Sequence, residues 1–176
     1  VVADPAELTD AQVDAIGEFL VAHENLITHG DKGLMHALAT RGWSLRLPTF
    51  DTELAAYLTR PGLRSYALPV VARQILRREA SETEEDALLS LADVSGQVDE
   101  GGLTPGQARL AANARTVYDL VPPLRDFLTK QEQLPLLTNL EIPVSGVLEQ
   151  MEATGIAIDV GKLQQLRAEF AAEAQR

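Results

Sequence analysis

Cysteine is absent from all 176 residues, which excludes disulfide frameworks, thiol catalysis and cysteine-rich zinc sites. Positive charge is scarce: 15 Lys and Arg stand against 26 Asp and Glu, a net charge of −11. That balance excludes a globally basic nucleic-acid clamp but leaves room for a local basic patch. No run of about 18 apolar residues occurs, so no membrane-spanning helix is expected. The opening Val1-Val2-Ala3-Asp4-Pro5 has neither the basic nor the apolar region of a signal peptide, and it lacks an initiator Met. What is present is a 45% apolar composition, which supports a core and excludes wholesale disorder. At 19.1 kDa the length suits one domain, or one domain and a piece of the next. The expectation is a soluble, intracellular, helix-rich piece of a longer protein.

The acidity is uneven. Glu79, Glu82, Glu84, Glu85, Asp86, Asp93, Asp99 and Glu100 carry −8 with no Lys or Arg among them, and Gly101-Gly102 closes the stretch. Residues 79–103 therefore read as a solvated, mobile linker, with Leu88, Leu89 and Leu91 allowing a short helical turn. An acidic docking segment is the functional alternative.

Before that linker, short apolar runs alternate with helical periods. Thr9 or Asp10 caps a helix with Val13, Ile16, Phe19 and Leu20 on one stripe. Leu26-Ile27-Thr28-His29 reads as a short buried strand, followed by a helix over about 31–41 that stops at Arg41-Gly42. Trp43, a core anchor on this reading, opens an extended segment to Phe50. Asp51 or Thr52 caps a third helix stopped by Arg60-Pro61-Gly62, and a fourth covers about 67–78. This alternation suggests an α/β layer with too few strands for a complete sheet.

After the linker the pattern is helical. Thr104-Pro105 opens a helix to about Phe127, which the tandem Pro122-Pro123 should kink or end near Val121. Leu137, Leu140, Val144, Val147, Leu148 and Met151 form a second apolar stripe that tolerates Pro143 only with a bend. Thr154-Gly155 stops it. Ile156-Ala157-Ile158 is extended, and Asp159 caps a last helix holding Leu163, Leu166 and Phe170, with no stop signal before Arg176.

The string Leu140-Glu141-Ile142-Pro143, Val147-Leu148 and Met151-Glu152-Ala153-Thr154-Gly155-Ile156-Ala157-Ile158-Asp159 resembles the family-A DNA polymerases. A second match runs from Gly42-Trp43 through Phe50-Asp51-Thr52, Leu54-Ala55-Ala56-Tyr57-Leu58 and Arg60-Pro61-Gly62 to Arg64-Ser65-Tyr66. Together the matches span most of residues 26–176. The resemblance implies an α/β fold, mostly helical as cut: an incomplete ribonuclease-H-like, 3′–5′ exonuclease-like domain followed by long helices leading into a polymerase thumb. On that basis 1–78 is the partial exonuclease-like domain and 79–103 the acidic linker. Residues 104–133 hold the last exonuclease-like helix, and 134–176 begin the thumb. The polymerase catalytic motifs would lie beyond Arg176.

Proofreading members of the family hold two metal ions on four acids, because carboxylates are the ligands that hard cations require. The resemblance aligns one such motif, Asn-x-x-x-Asp, with Gly30-Asp31-Lys32-Gly33-Leu34, so that Gly30 and Leu34 stand at the Asn and Asp positions. It aligns Tyr-x-x-x-Asp with Leu110-Ala111-Ala112-Asn113-Ala114, placing Leu110 and Ala114 at the functional positions. Neither leucine nor alanine binds a hard cation. The first-strand Asp-x-Glu motif would precede Val1. Asp51-Thr52-Glu53 imitates that motif, but helical composition follows it, and Asp51 suits a helix cap better.

His23, His29 and His36 are scattered without convergent acids and suit surface or packing roles. Tyr118-Asp119 cannot replace the lost pair, since adjacent helical residues project about 100° apart. Arg60, Arg64, Arg73, Arg77 and Arg78 lie in an acid-free stretch and form a candidate DNA-contact patch, or else a basic face answering the acidic linker.

The resemblance thus implies a piece of a family-A DNA polymerase acting in replication and repair. Its exonuclease-like part would be a non-editing scaffold, catalytically inactive alone. The resemblance implies primer-template DNA and the rest of the same polypeptide as partners, and magnesium as cofactor of the parent enzyme but none for this piece. It also implies a cytoplasmic, nucleoid-associated location without membrane. The alternatives are an active metal-dependent 3′–5′ exonuclease using Asp51 and Glu53, and a helical interaction module. Twelve Arg against three Lys, with abundant alanine, fits a GC-rich bacterial genome.

Overall fold

A computed structural model describes residues 8–77 and 104–174. Helix α1 (Asp10–Ala22) opens at Thr9, whose backbone N–H donates to Gln12 Oε1 at 2.9 Å. Strand β1 (Ile27–Thr28), helix α2 (Asp31–Ala39) and strand β2 (Phe50–Asp51) form a parallel β–α–β unit, with Ile27 opposite Phe50 and Thr28 opposite Asp51. Parallel strands need a crossover of this kind, and α2 supplies it. Helices α3 (Thr52–Thr59) and α4 (Leu68–Leu76) follow.

Past the acidic stretch, α5 (Pro105–Lys130) opens on a reciprocal cap. Thr104 Oγ1 accepts from Gln107 N–H at 3.3 Å, and Gln107 Oε1 accepts from Thr104 N–H at 3.0 Å. A short turn α6 (Leu134–Leu136) leads into a π-helical turn (Leu137–Glu141) and then α7 (Ile142–Thr154). Gly155, at φ 69°, stops α7. Helix α8 (Val160–Ala174) begins behind Asp159, whose Oδ1 accepts from Lys162 N–H at 2.9 Å.

The core lies where α5 crosses α3 and α4 beside β2. Phe50, Ala55, Ala56, Val71, Leu120, Leu124, Leu128, Leu137 and Ile142 are its buried members. Arg125 places its guanidinium 5.2 Å from the centre of the Phe50 ring, a cation–π contact closing the core's edge.

Several expectations are corrected. The tandem Pro122-Pro123 does not end α5, which continues to Lys130. Leu120, Leu124 and Leu128 are fully buried on both sides of the prolines, and that packing outweighs two missing N–H donors. Of the apolar stripe along residues 137–151, Leu137 in the π turn is buried, whereas Leu140, Val144, Val147, Leu148 and Met151 are exposed. Instead α7 buries Ile142, Ser145 and Gly146. Trp43 is half-buried outside the main cluster, leaning on α1 at Gly17. On α1 itself Phe19 is exposed and no residue is buried, so its stripe covers the layer only loosely. Of the extended segment foreseen from Trp43 to Phe50, only its end enters a strand, Phe50–Asp51. The linker over 79–103 lies outside the described residues.

Candidate functional site

The β–α–β unit sets the ends of its two strands side by side, and Asp51 becomes the node between them. Its carboxylate is fully buried. Oδ1 accepts from the N–H groups of Glu53 and Leu54, each at 2.9 Å, and so caps α3. Oδ2 accepts from Thr28 Oγ1 at 2.7 Å and from Asp31 N–H at 3.0 Å, and so ties β1 and the start of α2 to β2. A carboxylate has about four acceptor positions, and here all are taken. Asp51 thus serves as the cap that its helical context suggested.

Around the node, Thr52 Oγ1 donates to the Thr28 carbonyl at 3.0 Å, so it receives the proton of His29 Nδ1 at 2.9 Å. Burial holds the His29 pKa below the usual imidazole value, against the opposing pull of Asp51. Gly30 turns the chain at φ 75°, and a Cβ there would stand 2.7 Å from Glu53 Oε2. Asp31, 2% exposed, accepts at Oδ1 from Ser145 Oγ at 2.7 Å and from its neighbour Lys32 N–H at 2.7 Å. Its Oδ2 has no partner among the described residues. Burial pushes the Asp31 pKa up; the Ser145 hydroxyl opposes this and Asp51 adds to it. Glu53 is raised by burial and by the charges of Asp51 and Asp31.

A cleft of about 320 Å³ opens here, lined by Gly30, Asp31, Glu53, Leu54, Val144 and Ser145 among others. Of the residues singled out in the sequence, Gly30, Asp51 and Glu53 come together at this place. Leu34 lies further along α2, exposed, and Leu110 and Ala114 lie exposed on the first half of α5. Arg60, Arg64, Arg73 and Arg77 are all exposed on and around α3 and α4, Arg60 donating to Gln74 Oε1 at 3.0 Å; Arg78 lies outside the described residues. The histidines separate: His23 stacks on Phe19, His29 meets Thr52, and His36 meets Glu152. Among the described residues, no group of three His, Cys, Asp or Glu is arranged to hold a metal ion. Sequence reasoning missed Asp31, Thr28 and Ser145. The small pair Ser145-Gly146, interrupting an apolar stripe, was the available signal.

The raised Glu53 pKa fixes a pH dependence. An acid with a folded-state pKa above its unfolded value binds its proton more tightly when folded. Its penalty is therefore absent below the ordinary carboxylate range near pH ~4, and it grows as pH rises through the folded-state value. Glu53→Gln should raise the melting temperature at pH 7, and the gain should vanish toward pH ~4. A gain that persisted at acid pH would mean that charge is not its source.

No family model matches the chain. It is 40% identical over 169 residues to a DNA polymerase I of Mycobacterium leprae, covering 95% of this chain and 18% of that protein. It is 40% identical over 143 residues to that of Mycobacterium tuberculosis H37Rv, covering 81% and 15% respectively. The DNA polymerase I of Geobacillus stearothermophilus is 34% identical over 139 residues, covering 79% and 15%. Among solved structures, the polymerase domain of Pol1 from M. smegmatis in complex with DNA primer-template and dNTP superimposes with a TM-score of 0.74. That match has 35% identity and covers 97% of this chain and 26% of the other. The chain thus spans less than a fifth of the length of the relatives it matches.

Proposed function

We propose that this chain, which belongs to the bacterial DNA polymerase I family, serves as a non-editing scaffold within a DNA-directed DNA polymerase. On this reading the described part before the linker, together with α5, is an exonuclease-like layer of ribonuclease-H-like descent. The helices from Leu134 onward carry the chain toward the thumb. The whole polypeptide would extend primers on template DNA in replication and repair, in the cytoplasm at the nucleoid. Magnesium would supply charge neutralisation for that reaction.

One observation carries the non-editing part. The positions that the family resemblance assigns to metal ligands are filled by Leu34 and Ala114, which offer no oxygen, with Gly30 and Leu110 as their companions. The residues present do not fit a two-metal exonuclease centre and give hydrolysis no route through this layer. The imitation motif gives little help, because binding a cation through Asp51 would sacrifice the four hydrogen bonds that hold both strands and α3.

Arg60, Arg64, Arg73 and Arg77, exposed and drawn from a stretch of sequence without Asp or Glu, with Arg78 beside them in sequence, are the residues that would contact phosphate. This local patch reconciles DNA association with a net charge of −11.

The test uses the full-length polymerase on a mismatched primer-template with magnesium or manganese, and a chelator control. The expected result is primer extension once nucleotides are added and no metal-dependent shortening of the 3′ end without them. Chelator-sensitive shortening that Glu53→Gln abolishes would make this an active exonuclease instead. In the same assay, Arg73→Glu with Arg77→Glu should weaken primer-template binding at low salt by about tenfold. Unchanged affinity would remove the patch from the DNA interface.

A further inference from the structure

We infer that the π turn Leu137–Glu141 and the polar contacts between α2 and α7 act together as a hinge and a clasp, which set the direction of α7. The hinge is visible in the backbone. Ile142 N–H reaches five residues back to the Leu137 carbonyl, and Pro143 follows with no N–H to give. Such wide turns are where helices bend and where their hydrogen-bond ladder is weakest.

The clasp lies immediately beyond. Asp31 Oδ1 accepts from Ser145 Oγ at 2.7 Å. Lys32 Nζ meets Glu152 Oε1 at 2.6 Å. His36 Nε2 lies 2.9 Å from Glu152 Oε2, and its Nδ1 lies 3.7 Å from Glu149 Oε1. Ser145, Glu149 and Glu152 stand four and three residues apart, on one face of α7. Among the described residues, few buried apolar side chains of α7 compete with this set. Past Ile142, the other buried positions of α7 are Ser145 itself and Gly146, where Leu47 approaches. Val147 and Met151 are exposed, and Val144 and Leu148, each 42% exposed, line the open cleft rather than a packed core. Helix α7 is therefore held to the α/β layer mainly by polar groups that can let go without exposing a core, and it pivots at the π turn when they do. Ser145 and Glu152 are positioning residues in this account.

The opening belongs to the chain itself; only its meaning, the aim of the thumb, rests on the polymerase reading. Hydrogen exchange of the full-length protein tests it without any enzymatic readout. In Ser145→Ala combined with Glu152→Gln, amides over 147–151 should exchange about ten- to a hundredfold faster, while those of α4 and α5 hold their rates. Pro143→Ala in that background should restore part of the protection by returning the missing N–H. The swap of Lys32→Glu with Glu152→Lys should exchange more slowly over α7 than Lys32→Glu alone. Unchanged α7 exchange in the double variant would overturn the clasp. Equal acceleration in α4, α5 and α7 would also overturn it, because the contacts would then support the whole fold rather than one helix.

Discussion

Replacing Asp51 by alanine should destabilise the chain by about 4 kcal/mol, because it leaves several buried donors without acceptors at about 1–3 kcal/mol each, only partly compensated by relaxation. The affected groups are the Thr28 hydroxyl and the N–H groups of Asp31, Glu53 and Leu54. Two losses overlap. One is a helix cap, usually worth about 0.5–2 kcal/mol. The other is the bridge between strands whose ladder is only two residues long in each strand. Asp51→Asn should cost roughly half as much, since asparagine also caps helices but turns an amide toward Asp31 N–H, where an acceptor is required. Equilibrium urea denaturation gives both values. An alanine cost below about 1 kcal/mol would show that the node is replaceable by water and does not organise the fold.

The second large effect is expected at Leu124, fully buried directly after the two prolines of α5. Leu124→Ala should cost about 3 kcal/mol, within the range for leucine truncation in a packed core. Leu140→Ala, at a residue 52% exposed, should change stability by less than about 0.5 kcal/mol. The same denaturation experiment compares them. If the two substitutions cost equal amounts, the apolar stripe foreseen along residues 137–151 would be a genuine core stripe, and the assignment of α5 as the central slab would fail.

That contrast also shows which features a sequence can disclose. The caps at Thr104, Asp51 and Asp159 were legible because a cap is a local event, settled by a side chain and N–H groups two or three residues away. Strand β1 was legible as the short apolar run Leu26–His29, and β2 lies at the end of the extended segment Trp43–Phe50, but the parallel pairing of the two is visible only in the structure. At Pro122-Pro123 local propensity left open whether α5 would end, because proline's effect is local, and the leucines packed against α3 and α4 decide that it continues. The stripe along 137–151 was legible as an apolar face, but periodicity does not say whether anything covers it, and the π turn adds a shift of phase. The Asp31–Ser145 contact joins residues 114 apart, and no window along the chain contains both.

The two sets of polar contacts at α2 differ sharply in how far along the chain they reach. Thr28 and Asp51 are 23 residues apart, and Lys32 and Glu152 are 120 apart. Closing a loop about five times longer costs about 1.4 kcal/mol more chain entropy before any contact is made. The β–α–β knot around Asp51 therefore suits an early place in folding, and the clasp on α7 a late one. Substitutions at the knot should then act chiefly on the rate of folding, and substitutions at the clasp on the rate of unfolding. The contact that aims α7 is the last to form and the first to be released.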